Sequence, residues 1–222
     1  MRNIFLIVPL MALMSCNAGK RTGNPHSGSS GESTKGWISL FDGHSFKDWK
    51  AGENPGTFSI EDGAIVVNGP RAHLFYVGDV SGHDFRNFEF RARVMTTPGS
   101  NSGIYFHTKF QQERFPDDGF EVQVNNSHGD WKRTGSLYDI VDIAESYAKD
   151  NEWYTQYIRV EGKKVTIKVN GKTAVEWTEA ENAAAPEGHP GRLISGGTFA
   201  LQGHDPKSKV YFKDLQVRIL PD

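Results

Sequence analysis

Cysteine is all but missing. Cys16 is the only one in 222 residues, so no disulfide can staple the chain and its stability must come from a buried core. Charge of one sign is missing too: 25 Lys and Arg face 27 Asp and Glu, a formal net charge of -2, without the basic footprint that a phosphate backbone requires. Nucleic acid is therefore not an expected partner. From Gly36 onward no window of about 11 to 18 residues carries a helical apolar period. No internal repeat is visible, which disfavours a propeller or solenoid. His and Cys form no closely spaced metal cluster, and Asp117-Asp118-Gly119 is a turn before it is a calcium loop. Long hydrophobic runs are absent except near the start, where Ile4 to Met14 is too short to span a bilayer.

That run follows Arg2 and ends at Ser15-Cys16, the pattern of an export signal. Leu13-Met14-Ser15-Cys16 resembles the lipobox of bacterial lipoproteins, which implies that residues 1–15 are removed and Cys16 is lipidated. Residues 16–35 are rich in Gly, Ser, Asn and Thr, a flexible linker. The expected localisation is outside the cytoplasm, in the periplasm or on the outer surface. Contact with the membrane would be through the N-terminal lipid alone.

What remains, residues 36–222, reads as a single all-β domain. Short runs alternate apolar and polar residues between turn signals. In residues 88–94, Phe88, Phe90 and Val94 stand against Glu89, Arg91 and Arg93. Asp62-Gly63 and Asn170-Gly171 each separate two such runs, as hairpin turns do. The final run breaks parity at Lys213-Asp214, an irregularity in a strand that completes a sheet. About a dozen strands in one stretch favour an antiparallel two-sheet β-sandwich or jelly roll. One short helix is expected, around Asp142 to Ala148.

The period of two also sorts faces. Tyr105, His107 and Lys109 oppose Ile104 and Phe106; Glu121, Gln123 and Asn125 oppose Phe120, Val122 and Val124; Ala200, Gln202 and His204 oppose Phe199 and Leu201. Tyr, His, Gln and Asn orient ligands with directional hydrogen bonds, so these three polar faces predict a binding cleft. Trp131 is a candidate stacking surface in a polar loop, whereas Trp37, Trp49, Trp153 and Trp177 read as core. His44, His73, His83 and His189 read as turn or surface residues. Laminarinase-like glucanases carry Glu-x-Asp-x-x-Glu on their signature strand. Here Gln123 and Asn126 replace the second and third carboxylates, so this strand cannot supply the pair needed for double displacement.

Six segments in order, SLFDGHSFKDWK, SNSGIYFHTKF, GFEVQVNNSH, RTGSLYDI, EWYTQYIRVEGKKVTIKVNGK and FALQGHDPKSKVYFKDLQV, resemble the 3-keto-disaccharide hydrolase family. The resemblance implies the concanavalin A-like lectin/glucanase fold, a carbohydrate substrate, and cleavage of glycosides already oxidised to a ketone at carbon 3. Such chemistry removes the acidified proton at carbon 2, eliminates the group on carbon 1 and adds water. It needs a base, a group that polarises the ketone, and a donor for the departing oxygen. Glu121 or His107 would be base or acid, with His204 a second titratable candidate. Tyr105, Gln123, Asn125, Arg133, Tyr138, Gln202 and Trp131 would bind substrate. A divalent cation held by His107 and Glu121 would be an alternative electrophile. A non-catalytic carbohydrate-binding lipoprotein using the same cleft is the rival expectation.

Overall fold

The computed structural model describes residues 35–222; the export signal, Cys16 and nearly all of the linker lie outside the described residues. Thirteen strands are present among them: Ile38–Ser39 (β1), Trp49–Ala51 (β2), Phe58–Glu61 (β3), Ala64–Val67 (β4), Ala72–Tyr76 (β5), Phe88–Thr96 (β6), Ser102–Thr108 (β7), Phe120–Val124 (β8), Tyr154–Glu161 (β9), Lys164–Val169 (β10), Lys172–Thr178 (β11), Thr198–Gly203 (β12) and Val210–Ile219 (β13). They form two antiparallel sheets. The larger runs β11-β10-β9-β6-β13-β4-β3 with β1 added to β13, and the smaller runs β2-β5-β12-β7-β8.

Alternation puts Phe88, Phe90, Ala92 and Val94 of β6 and Tyr154, Ile158 and Val160 of β9 into the space between the sheets. Phe199 of β12 fills its centre, with ring centroids 4.6 Å from Phe85, 4.9 Å from Phe88 and 4.7 Å from Phe90. Aromatic pairs of this kind add to burial, and they substitute for the missing disulfides. Both hairpins form with two-residue loops: Glu61 pairs Ala64 and Val169 pairs Lys172. Asp62, Gly63, Asn170 and Gly171 all have positive φ, as a type I′ turn requires. The expected irregularity in the last strand is a register shift between Lys213 and Gln216, with Asp214 at φ 52°.

The helix expected around Asp142 to Ala148 does not form; the segment is irregular. Its polar side chains bond elsewhere instead of leaving the backbone to close a turn. Asp142 Oδ1 accepts from the Asp139 N–H at 3.2 Å, and Ser146 Oγ donates to Asn126 Oδ1 at 2.7 Å. Helical structure among the described residues is limited to two 3₁₀ turns, Pro55–Thr57 and Val80–His83.

The smaller sheet positions the site. Its inner face joins the core, while its outer face carries a separate small cluster of Phe75, Tyr105 and Ala200. Segments between strands cover that outer face: Phe110 packs on Phe75 at 5.4 Å and Phe115 on His73 at 5.7 Å.

Candidate active site

Strand register across the smaller sheet sets out two rows of side chains. In the first, Phe75 pairs Ala200, Ala200 pairs Tyr105 and Tyr105 pairs Glu121. In the second, His73 pairs Gln202 and Gly103 pairs Gln123. Gly103 is the gap that lets the rows meet. A Cβ there would overlap Glu121 Oε1 and lie 2.7 Å from its Cγ, so the Glu121 side chain occupies the space that any other residue would fill.

Glu121 is therefore held on both oxygens. Tyr105 Oη donates to Oε2 at 2.7 Å and Gln202 Nε2 donates to Oε1 at 3.1 Å, while the same Gln202 amide lies 3.2 Å from Tyr105 Oη. Burial pushes the Glu121 carboxyl up to about 7, against the Tyr105 and Gln202 hydrogen bonds and the Arg192 guanidinium, all of which favour its charged form. Burial, then the neighbouring Glu121 charge, raises the Tyr105 hydroxyl well above the ordinary phenol range. A carboxyl poised near neutrality on a desolvated floor is suited to take a proton and return it.

Above this floor lies a cavity of about 240 Å³. Tyr105, Glu121, Gln123, Gln202 and His204 line it, as the strand faces predict, and so does Tyr138, expected from the family resemblance. Asn101, Phe115, Pro116, Asp139, His189 and Arg192 complete the lining, and no strand alternation or motif marks them as site residues in the sequence. His204 Nδ1 is 2.8 Å from Asp205 Oδ2, which orients the ring at the cleft wall. Burial opposes the Asp205 charge, but the His204, Ser208 and Lys207 hydrogen bonds hold its carboxyl down at about 2. Gln123 Nε2, Gln202 Oε1 and Asn101 Oδ1 are buried without a protein partner, polar atoms left unpaired around the cleft.

Four expected site residues do not line the cavity. His107 turns inward because β7 bulges there. Tyr105 pairs Ala200 and Thr108 pairs Thr198, so Phe106 and His107 together oppose Phe199 alone, and His107 adopts φ 55°. Its ring sits 5.2 Å from Phe106 and 5.7 Å from Phe88, on the core side. Burial pushes its pKa down to about 4. It is neither base nor acid in the cleft, and it cannot share a cation with Glu121, which faces the other way. Among the described residues no group of three or more His, Cys, Asp or Glu side chains gathers to hold a metal ion.

Asn125 lies just past the end of β8, where loop carbonyls and amides claim its side chain. Its Nδ2 donates to the carbonyls of Asp130 and Lys132 at 2.9 and 2.8 Å, and its Oδ1 accepts from His128 N–H at 2.8 Å. Arg133 folds back on the same loop, donating from Nη1 to Asn125 Oδ1 and to the carbonyls of His128 and Asp130. Both side chains hold the loop together instead of facing a ligand. Trp131, 55% exposed, stands outside the cavity lining. In the other direction His73, expected at a turn or surface, is buried in β5 with its ring 5.3 Å from Tyr105, and burial pushes its pKa down to about 3.

Comparisons with known proteins bear on the family and the fold. The family model described as a 3-keto-alpha-glucoside-1,2-lyase-like domain matches residues 36–218. A protein of Bacteroides thetaiotaomicron named 3-keto-disaccharide hydrolase is 28% identical over 230 aligned residues, covering 83% of this chain and 79% of the relative. Among solved structures, a presumptive glycosyl hydrolase of Parabacteroides distasonis superposes with a TM-score of 0.71 at 23% identity, covering 84% of this chain and 94% of that one. A carbohydrate-binding module of Bacillus subtilis, CBM66, gives a TM-score of 0.54 at 11% identity over 82% of this chain and 95% of the module, a likeness of fold.

Proposed function

The chain belongs to the 3-keto-alpha-glucoside-1,2-lyase-like family, and from that premise we propose that it cleaves glycosides whose carbon 3 is a ketone, by elimination followed by hydration, with Glu121 as the base. The observation that carries this reading is a single desolvated carboxyl on the cleft floor. Asp139, the other carboxylate on the lining, is exposed and ion-paired to Lys132. Hydrolysis of an unoxidised glycoside by the common routes needs two carboxyl groups flanking the bond, whereas the 3-keto route needs one base.

Ionised Glu121 removes the proton from carbon 2. The C–H electron pair forms the enolate with carbon 3, and the oxygen of the former ketone takes the negative charge. Collapse of the enolate expels the oxygen on carbon 1, which receives a proton, and leaves a double bond between carbons 1 and 2 conjugated to the ketone. Water then adds its oxygen to carbon 1 and gives up a proton to the group that protonated the departing oxygen, while Glu121 returns its proton to carbon 2, and the net change is hydrolysis. His204, oriented by Asp205 on the cleft wall, is placed to protonate the departing oxygen. Tyr105 and Gln202 keep the Glu121 carboxyl aimed and restrain its oxygens. The name of the Bacteroides thetaiotaomicron relative supports this substrate class.

The test is chemical. Purified protein is incubated with a glucoside and with its 3-keto derivative, and release of the leaving group is followed. Turnover of the ketone alone supports the proposal. Turnover of the unoxidised sugar overturns it in favour of an ordinary glycosidase, and binding of both without turnover in favour of a carbohydrate-binding module. We further propose that the protein is exported and held at a membrane surface through lipid on Cys16, on the sequence pattern of residues 2–16.

A further inference from the structure

The elimination moves a negative charge from the Glu121 carboxylate to the ketone oxygen of the substrate, and a fixed cation beside that oxygen would accelerate the step. Arg192 is the one Arg or Lys side chain on the cavity lining. Its guanidinium lies close enough to act electrostatically on both Glu121 and Tyr105. Other half-buried guanidinium groups are engaged by polar protein partners, Arg71 by Glu53, Arg159 and Arg218 by Glu89, Arg133 by loop carbonyls, and Arg93 lies over the Trp153 ring. Among the described residues the Arg192 guanidinium has no hydrogen bond or ion pair, although it is half-buried and shares the cavity lining with Glu121, whose charge it favours. Five N–H donors left unclaimed beside a base on the floor of a cleft are suited to an oxygen that gains charge there.

Arg192 comes from the long segment between β11 and β12, and that strap is tied on both sides of it. Gly191 O accepts from the Gly119 N–H at 2.9 Å. The Ile194 N–H donates to Glu179 Oε1 at 2.8 Å. The Ser195 N–H donates to His107 Nδ1 at 3.3 Å, while His107 Nε2 donates to the Arg86 carbonyl at 3.0 Å. The two His107 bonds hold together only for a neutral imidazole with its proton on Nε2, the form that burial favours. His107 thus reaches the chemistry through the strap, from the far side of the sheet.

We propose that Arg192 is the catalytic cation that receives the enolate charge, and so the residue that selects ketone over alcohol at carbon 3, and that His107 is a positioning residue for it. The proposal rests on the 3-keto reading of the cleft. Kinetics with a 3-keto-glucoside test it in wild type, Arg192→Ala, Arg192→Lys, His107→Leu and the double variant Arg192→Ala/His107→Leu. Arg192→Ala is expected to lower kcat about 100- to 1000-fold, as removal of an oxyanion donor does. KM should change far less. Lys should recover part of the loss, and guanidinium added to the buffer should partly rescue the Ala variant. His107→Leu should slow the wild type but add nothing in the Arg192→Ala background, the non-additivity of a residue that acts through another. Melting temperatures within a few degrees of wild type show that the Arg192 variants fold. Active wild type with Arg192→Ala within threefold of it overturns the role of Arg192, and additive effects of the two substitutions overturn the role of His107. Inactive wild type overturns the 3-keto reading and this inference with it.

Discussion

Replacing Glu121 by Gln separates the energetic state of the carboxyl from its chemistry, because the variant keeps the shape and removes the charge. The carboxyl is raised from an ordinary 4.5 to about 7. The folded protein therefore binds a proton more tightly than the unfolded chain between those values, and stability falls as pH rises through that window. Two and a half units correspond to about 3 kcal/mol, fully expressed above pH 7 and absent below pH 4.5. Against this, Tyr105 and Gln202 donate to different oxygens of Glu121, so the NH2 of Gln faces one of the two donors, and losing that bond costs about 1 kcal/mol. Glu121→Gln should then be about 2 kcal/mol more stable than wild type at pH 8 and about 1 kcal/mol less stable at pH 4.5. For a domain of this size the gain at pH 8 is roughly 4 to 8 °C in Tm. Denaturant unfolding of both proteins at the two pH values measures it. Activity should fall by a factor of about 100 to 10,000 although the variant is the more stable protein at high pH. Wild-type kcat/KM should rise with pH through about 7 as the base ionises. Parallel pH–stability curves for the two proteins would refute the claim that Glu121 is desolvated, and undiminished turnover by the variant would refute its role as base.

Gly103→Ala should push the Glu121 carboxyl off its two donors; a stability loss of about 1 to 3 kcal/mol, with kcat falling more than KM rises, is expected by denaturant unfolding and kinetics. His73 is held neutral down to about 3, below its unfolded value near 6.5, so the stability it contributes is present above pH 6.5 and is lost as pH falls; His73→Leu should remove about 2 kcal/mol of the difference between pH 7 and pH 5. A variant with an unchanged slope would show that the ring is solvated. Cys16→Ala, expressed in a bacterium that lipidates exported proteins, should abolish incorporation of a labelled fatty acid and release the protein from the membrane fraction; retention of the label would overturn lipidation of that residue.

Strands and hairpins were legible in the sequence because the two faces of each strand meet different surroundings, and period two records that difference in residue type. The break in the last strand was legible for the same reason: Val210 and Phe212 have even numbers and Leu215, Val217 and Ile219 odd ones, so a bulge had to lie between them. The bulge at His107 left no such trace. Ile104 and Phe106 are followed by a polar residue, as unbroken alternation would have it, and the inward turn of His107 is decided by the two-against-one pairing with Phe199. Asn125 shows another limit. It continues the Glu121, Gln123 alternation by number, but β8 ends at Val124 and the amide bonds to its own loop. Arg192 and His189 sit in a Gly- and Pro-containing segment without period, where side-chain direction depends on tertiary anchors such as Gly119 and Glu179.

The His107 bulge and the Glu121 site are two consequences of one arrangement. On the outer face, Tyr105, Glu121 and Gln202 meet over Gly103, and the covering segments deprive the carboxyl of water. A carboxyl so placed becomes a base matched to neutral pH, but the charge it gives up must find a new partner close by. The smaller sheet contributes no lysine or arginine to the cavity lining, so the partner has to come from a loop. A loop side chain serves catalysis only when its backbone is held as firmly as a strand. The bulge turns His107 to the core side, where its buried ring takes a hydrogen bond from the strap that carries Arg192. The irregularity that removes a histidine from the cleft thereby steadies the cation that enters it.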